Sequence, residues 1–281
     1  MNQGINYREF TPPDALRRHV RCLWHLTLEA GSGHIQTVYP DGCCELIVHR
    51  RSPLYAFSES AGWRQQGRCL FAGQQRAAIR LTAHADADCI GVRLQPAASA
   101  VLLQTSLAAF RDRIVDLAEV DPEFAGDFFA AATGHDIETI VAAIWELLER
   151  RLSVLPIDAR IESAIRRLEA CEGLGPIAPL IAASGMSERS FQSAFKRQVG
   201  LSGKEFARVL RLQATIRMLD DGGRSMAELA IDVGFADQAH ATREVRRVTG
   251  TTPARLRDAL RNDRDGDSSV RLAAAFVRGR L

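Results

Sequence analysis

Between residues 177 and 250 the chain repeats one short pattern twice, and that repeat limits the architectures open to it. IAPLIAASGMSERSFQSAFKRQVG (177–200) can be laid on MAELAIDVGFADQAHATREVRRVTG (226–250). Gly185 matches Gly234, Lys196–Arg197 matches Arg246–Arg247, and Gly200 matches Gly250. After a one-residue insertion in the second copy, Phe191 and Phe195 match Ala241 and Val245. Each copy reads as a short helix, a tight turn through glycine and a second helix, which is the helix-turn-helix unit. The segment between them, GKEFARVLRLQATIRMLDD (203–221), puts Phe206, Leu210, Leu212, Ile216 and Leu219 on a core stripe. At 1.5 Å per residue it spans about 25–30 Å. Successive major-groove segments on one face of B-DNA lie about 34 Å apart. One chain can therefore set two reading helices roughly one DNA turn apart.

The second helix of each copy has the side chains that such a role requires. In the first, Phe191 and Phe195 are four apart and face a core, while Arg189, Gln192, Ser193 and Lys196 project elsewhere. Ser187 is placed to cap that helix, whose uncovered N–H groups suit a phosphate. In the second, GFADQAHATREVRRVTG (234–250) has few large apolar groups but carries Gln238, His240 and Arg243. Base edges in the major groove are read by residues of these types. Arg189, Gln192, Ser193, Gln238, His240 and Arg243 are thus the expected base contacts. Ser187, Lys196, Arg197, Arg246 and Arg247 are the expected phosphate contacts. The competing reading of any single arginine is a solvated face or a surface ion pair. Charge agrees weakly with a polyanion partner: net −3 over 1–155 and +4 over 156–261, within a chain of +2 overall.

The first half carries a different pattern. HIQTVYP (34–40), CCELIVH (43–49), RCLFAG (68–73), AAIRLTA (77–83) and CIGVRL (89–94) read as strands between turn signals. About five to eight such strands suggest a small sandwich or barrel. Residues 96–104, 106–120 and 122–132 then read as helices, and 136–155 is the longest amphipathic run. That run packs on its own domain or forms a homodimer contact. The fold class expected is an α+β N-terminal domain, a β-barrel or sandwich followed by helices. An all-α C-terminal domain with two helix-turn-helix motifs joined by a linker helix completes it. The expected domains are 1–155, 156–261 and a tail, 262–281, with SVLPID (153–158) at the boundary. The expected C-terminal helices are 158–171, 176–184, 188–199, 203–220, 225–233, 237–248 and 253–261.

GMSERSFQSAFKRQVGLSGKEF, RLQATIRML and AELAIDVGFADQAHATREVRRVTGTTPARLR match, in order and spacing, the AraC/XylS family of bacterial transcription regulators. The resemblance covers about Ile157 to Leu260. It implies a seven-helix DNA-binding domain that contacts two adjacent major-groove segments. The chain departs from the family at Ser193, where arginine is usual, and at Ala241 and Val245, where phenylalanine is usual. Ala236 and Ala239 stand for serine, and Gly203 for proline. VYPDGCCELIV (38–48), FAG (71–73) and GVRLQPAASAVLL (91–103) resemble, less specifically, a cupin-like sensor domain of such regulators.

The expected function is a sequence-specific transcription regulator, controlled by a small molecule bound in the N-terminal domain and not an enzyme. Its expected partners are double-stranded DNA, an effector, a second copy through the N-terminal domain, and RNA polymerase if it activates. No cofactor or metal is expected: the six cysteines form no C-x-x-C pair, and His34, His49 and His84 are scattered. No apolar run reaches the roughly 20 residues of a membrane span. MNQGINYREFTPPD lacks a signal-peptide pattern, so a cytoplasmic location is expected. Two alternatives stay open. One is a cysteine-based alkyl-transfer enzyme, with Cys43 or Cys44 as nucleophile, fused to a DNA-binding domain. The other is a regulator whose N-terminal half is only a dimerisation scaffold. An apolar pocket with a few converging polar groups would favour sensing, and a filled barrel would favour scaffolding.

Overall fold

The computed structural model describes residues 5–29, 35–134, 136–152, 157–221, 223 and 225–264. It has an α+β N-terminal domain followed by an all-α C-terminal region. The strands are β1 (Ile5–Phe10), β2 (Val20–Leu28), β3 (Ile35–Val38), β4 (Cys44–His49), β5 (Tyr55–Ser58), β6 (Gly62–Gln65), β7 (Cys69–Ala72), β8 (Ile79–Thr82), β9 (Ala87–Leu94) and β10 (Ile114–Asp116). A six-stranded antiparallel sheet runs in the order β1-β2-β9-β4-β7-β10, and a four-stranded one in the order β3-β8-β5-β6. Side chains alternate across each strand. One face of the larger sheet presents Leu23, Leu46, Val48, Ile90, Val92 and Leu94 to α1 (Ala98–Leu102), α2 (Pro122–Ala132) and α3 (Ile137–Leu152). The other face, with Trp24, Leu26, Glu45, Ile47 and Cys89, looks toward the smaller sheet.

Three expectations change. Residues 106–120 do not form one helix. They make 3-10 turns at Leu107–Phe110 and Leu117–Glu119, with β10 between them paired to β7. Asp112 sits in the left-handed region at φ 58°, which breaks a helix there. Its carboxylate accepts from both the backbone N–H and the guanidinium of Arg76, which fixes the kink. Secondly, ten strands are present among the described residues, more than the expected five to eight. β2 was overlooked because both of its faces are buried, so it lacks clean alternation. Thirdly, α3 spends its apolar face at home. Ile140, Val141, Ile144, Leu147, Leu148 and Leu152 lie in the core under the large sheet. Residues 153–156 and His34 fall outside the described residues. No described helix is long and apolar enough to cross a membrane.

The C-terminal helices are α4 (Ala159–Ala170), α5 (Ala178–Ser184), α6 (Glu188–Val199), α7 (Gly203–Asp221), α8 (Met226–Asp232), α9 (Gln238–Thr249) and α10 (Pro253–Arg264). They fall within two residues of expectation, except that α10 runs into what reads as tail. Residues 265–281 lie outside the described residues.

The two regions are closely joined. The loop after β3 carries Tyr39, buried in the second helical core, and Pro40, whose carbonyl accepts from Gln213 of α7. Gly42 follows at φ +83°, and a Cβ there would lie 2.8 Å from the ring of Phe206. The backbone N–H of Ala78 donates to the carbonyl of Val248 at the end of α9, at 2.8 Å. Arg18 forms a two-pronged pair with Glu162 at 2.9 and 2.7 Å, and Arg21 meets Glu169 at 2.9 Å. Arg76 reaches Glu205 at 3.1 Å.

The hydrogen bonds from Arg18 hold the Glu162 carboxyl below its usual value of 4.5. A carboxylate depressed in the folded state stabilises fully above the unfolded value and loses that contribution as pH falls through the folded one. The resistance of the protein to urea should therefore fall as pH drops below about 4.5. In Glu162→Gln that part of the fall should be missing. Urea midpoints for both proteins between pH 7 and pH 3 check this.

Candidate nucleic-acid interface

The two helix-turn-helix copies are built alike. α5 ends at Gly185, φ +66°, and the second copy turns through Gly234, φ +68°. Only glycine adopts this region without strain, so the repeated glycine is what aligns the two units. Ser187 caps α6, its Oγ accepting from the N–H of Ser190 at 3.2 Å. Asp237 caps α9, accepting from the N–H of His240 at 2.6 Å. Upstream, Ser225 and Glu228 form a reciprocal capping box at the start of α8. Ser202 and Glu205 do the same at α7, where Ser202 N–H donates to Glu205 at 2.8 Å. Both follow the S-x-x-E pattern and were legible in the sequence as such, though neither had been singled out.

The inner faces pack as the spacing requires. Phe191 and Phe195 are fully buried, with ring centroids 5.7 Å apart, and Phe195 lies 5.9 Å from Phe206. Ala241 and Val245, at the matching places on α9, are also fully buried. Their core includes Leu219, Leu229, Val233, Phe235 and Leu256. The smaller side chains leave α9 covered on that side.

The outer faces hold the expected contact residues. Ser187, Arg189, Ser193, Lys196 and Arg197 are exposed on the first copy, with Gln192 half-buried. Gln238, Arg243, Arg246 and Arg247 are exposed on the second, with His240 half-buried. His240 is held in place: its Nδ1 accepts from the N–H of Ala236 at 3.3 Å, and its ring meets Phe235 edge-on at 5.3 Å. An accepting Nδ1 leaves the proton of the neutral ring on Nε2, which then presents a donor. The two basic pairs divide in the same way. Arg197 lines a cleft against the N-terminal domain, with Ala100, Gln104 and Ile157. Arg247 is ion-paired to Glu244 at 3.0 Å and lies beside Arg76. Successive helix residues diverge by about 100°, so Lys196 and Arg246 point away from those clefts.

A second candidate site lies between the sheets, in a cavity of about 80 Å³. Trp24, Leu26, Val38, Ile47, Ile79 and Leu81 line it, with Gln36, Asp41, Glu45 and His49 among them. Asp41, Glu45 and His49 follow one another on β4 and the loop before it, and the packing of the two sheets brings Gln36 of β3 to them. His49 is buried and its Nδ1 bonds the carbonyl of Gly67 at 2.8 Å, while His84 stacks on Tyr55 at 4.1 Å. Among the described residues no group of His, Cys, Asp or Glu could hold a metal ion. Burial pushes the Cys43 thiol well above its usual range and Cys44 up to about 12. Neither is an activated nucleophile, which argues against alkyl transfer.

A model of a helix-turn-helix domain matches residues 180–259, and one of a domain of unknown function (DUF6597) matches 8–116. The HTH-type transcriptional regulator MtrA of Neisseria gonorrhoeae is 33% identical over 78 residues, which is 28% of this chain and 26% of that protein. The chain thus spans about a quarter of the length of the curated relative it matches. ToxT of Vibrio cholerae superposes with TM-score 0.43 at 7% identity, covering 91% of this chain and 98% of ToxT. A probable AraC family transcriptional regulator from Rhodopseudomonas palustris gives TM-score 0.33 at 28% identity, covering 37% of this chain and 98% of its own. Residues 180–259, which hold both capped units, thus match a helix-turn-helix domain.

Asp237→Ala should remove the cap of α9 and lower stability by about 1 kcal/mol. Urea unfolding followed by circular dichroism reads this directly; an unchanged midpoint would show that the cap is dispensable.

Proposed function

We propose that the chain is a sequence-specific transcription regulator of the bacterial cytoplasm, in which 1–155 senses a small molecule and 156–261 reads DNA. The observation that carries the reading is the pair of capped helices, α6 and α9. Each has a buried apolar face and an exposed polar one, and one rigid helix joins them. α7 has 19 residues, about 28 Å of helix, which suits two successive major-groove segments. Arg189, Gln192 and Ser193 read bases from α6, and Gln238, His240 and Arg243 from α9. His240 does so through its Nε2–H, a donor suited to a purine acceptor. Lys196 and Arg246, with Ser187, hold phosphates; Arg197 and Arg247, turned toward the clefts, contribute charge more than contact.

The cavity between the sheets favours sensing over a filled scaffold. The apolar face of α3 is already spent, so a homodimer would have to use another surface. Whether RNA polymerase is recruited follows from where the operators lie.

Mapping of bound genomic DNA with the purified chain tests the proposal: enriched sites should share two short motifs about one helical turn apart. Sites without a shared motif would overturn it. Arg243→Ala should lose about 1–3 kcal/mol on the enriched site and relax one base position. Arg246→Ala should weaken all sequences alike and lower the slope of affinity against salt. Equal loss for Arg243→Ala on random DNA would remove it from base reading.

A further inference from the structure

Among the polar groups lining the cavity between the sheets are two carboxylates and several further acceptors. Gln36 on β3 is 2% exposed, lines the cavity, and its Oε1 has no hydrogen-bond partner. A buried acceptor left unpaired is costly and marks a place where a donor belongs. His49 donates from Nδ1 to the carbonyl of Gly67, so its neutral ring offers the Nε2 lone pair. Burial lowers the pKa of that imidazole and keeps it neutral. Gln75 spends its N–H on the carbonyl of Gly73, at 2.8 Å, which leaves its carbonyl oxygen. Asp41 and Glu45 add two carboxylates.

Charge points the same way. Behind the carboxylates lies Arg93, 1% exposed, 2.9 Å from Glu45, 3.2 Å from Asp41 and 3.7 Å from Glu9. Arg21 stands close by, 2.9 Å from Glu169. Arg93 is thus shared by three carboxylates, two of which, Asp41 and Glu45, line the cavity. Burial raises the Glu45 carboxyl even against Arg93, so a further cation beside it would be welcome. The rest of the wall is apolar: Trp24, Leu26, Val38, Ile47, Ile79 and Leu81.

We propose that the effector is a compact apolar molecule with one protonated amine, its ammonium seated among Gln36, Asp41, Glu45 and His49 and its body against Trp24 and Ile47. An ammonium has three donors and no acceptor, which is the complement of this lining. The cavity is about 80 Å³, smaller than the roughly 150 Å³ that encloses a benzene ring, and it is partly open, so a one-ring body fits only by reaching into its mouth. The inference rests on the regulator reading for its meaning but not for its test. Asp41 also belongs to the loop that rests on α7, through Pro40 and Gly42. The amine would therefore be felt by the DNA-reading half.

Calorimetric titration of the full chain with benzylamine, benzyl alcohol and benzoate, three probes of similar shape, tests the proposal. Benzylamine should bind, and the neutral and anionic probes should bind at least about tenfold more weakly, as expected for one charge-assisted contact of about 1.4 kcal/mol or more. Gln36→Leu should weaken benzylamine by about tenfold and Gln36→Glu should strengthen it, each with its melting temperature recorded. Benzoate or benzyl alcohol binding as tightly as benzylamine would overturn the proposal, as would no heat with benzylamine. The wild-type series decides the matter should either variant fail to fold. A parallel titration with genomic DNA fragments separates the two readings. DNA binding retained without amine binding sinks only the ligand class, and amine binding without DNA binding sinks only the regulator.

Discussion

The burial of α7 on nearly every side is the constraint on which the rest of the molecule depends. Its first half, with Phe206, Ala207, Val209 and Leu210, belongs to the core of the first helix-turn-helix unit. Its second half, with Leu212, Ala214, Ile216 and Leu219, belongs to the core of the second. A helix with apolar residues on most of its sides must be covered on most of them, and only Lys204, Arg208 and Asp221 of α7 are left exposed. The third cover is the N-terminal domain, through Tyr39, Pro40 and Gly42. Two polar groups caught in that burial are paired: Gln213 donates to the carbonyl of Pro40, and Thr215 donates to the carbonyl of Arg211 at 2.8 Å. The spacing of the two reading helices is thus set by one rigid element that neither unit owns.

Much of the helical half was legible because its signals are local. Gly185 and Gly234 needed a left-handed turn and announce it. Phe191 and Phe195 sit four apart and face inward as such spacing demands. The single stripe read on α7 was only half the matter, since its residues split between two cores and Gln213, a polar residue, is buried against the other domain. What escaped were features made by distant pairings. β10 exists because Ile114 and Asp116 pair with Ala72 and Leu70, and no local rule separates that segment from a helix of the same apolar spacing. The cavity is not legible for the same reason: Gln36 of β3 meets Glu45 and His49 of β4 only when two sheets close on one another.

The large sheet explains why those residues could be kept. Its helix-facing side is filled by Leu46, Val48, Ile90 and Val92 and supplies the stability of the domain. The side facing the smaller sheet is freed from that duty and can hold a buried arginine among carboxylates. Glu45 and Asp41 hold Arg93 well above its usual pKa, although burial alone would lower it. Such a cluster is a poor way to gain stability, because desolvating each charge costs several kcal/mol, about as much as pairing returns. Its position on the cavity wall gives it a use that packing alone does not.

The N-terminal domain touches both reading helices at the same place, their C-terminal ends. The 3-10 turn at Leu107–Phe110 packs on α6, where a Cβ added to Gly200 would lie 3.1 Å from the carbonyl of Leu107. Ala78 binds the end of α9 through the carbonyl of Val248. Between them, Arg76 ties Asp112 of the first contact to Glu205 at the start of α7. Burial would raise the Glu205 carboxyl, but hydrogen bonds from Ser202 and then the positive charges of Arg111 and Arg76 outweigh it and hold it below its usual value. Packed interfaces are not continuously deformable, so a shift in the loop after β3 or in the segment before β8 must be met by α7, by α6 or by α9. Both of those segments also wall the cavity, through Asp41 and Gln75. A ligand that bound one arrangement of the cavity better than another would therefore bias the geometry of α6 and α9, and under the proposed function DNA would alter the affinity for that ligand by the same factor.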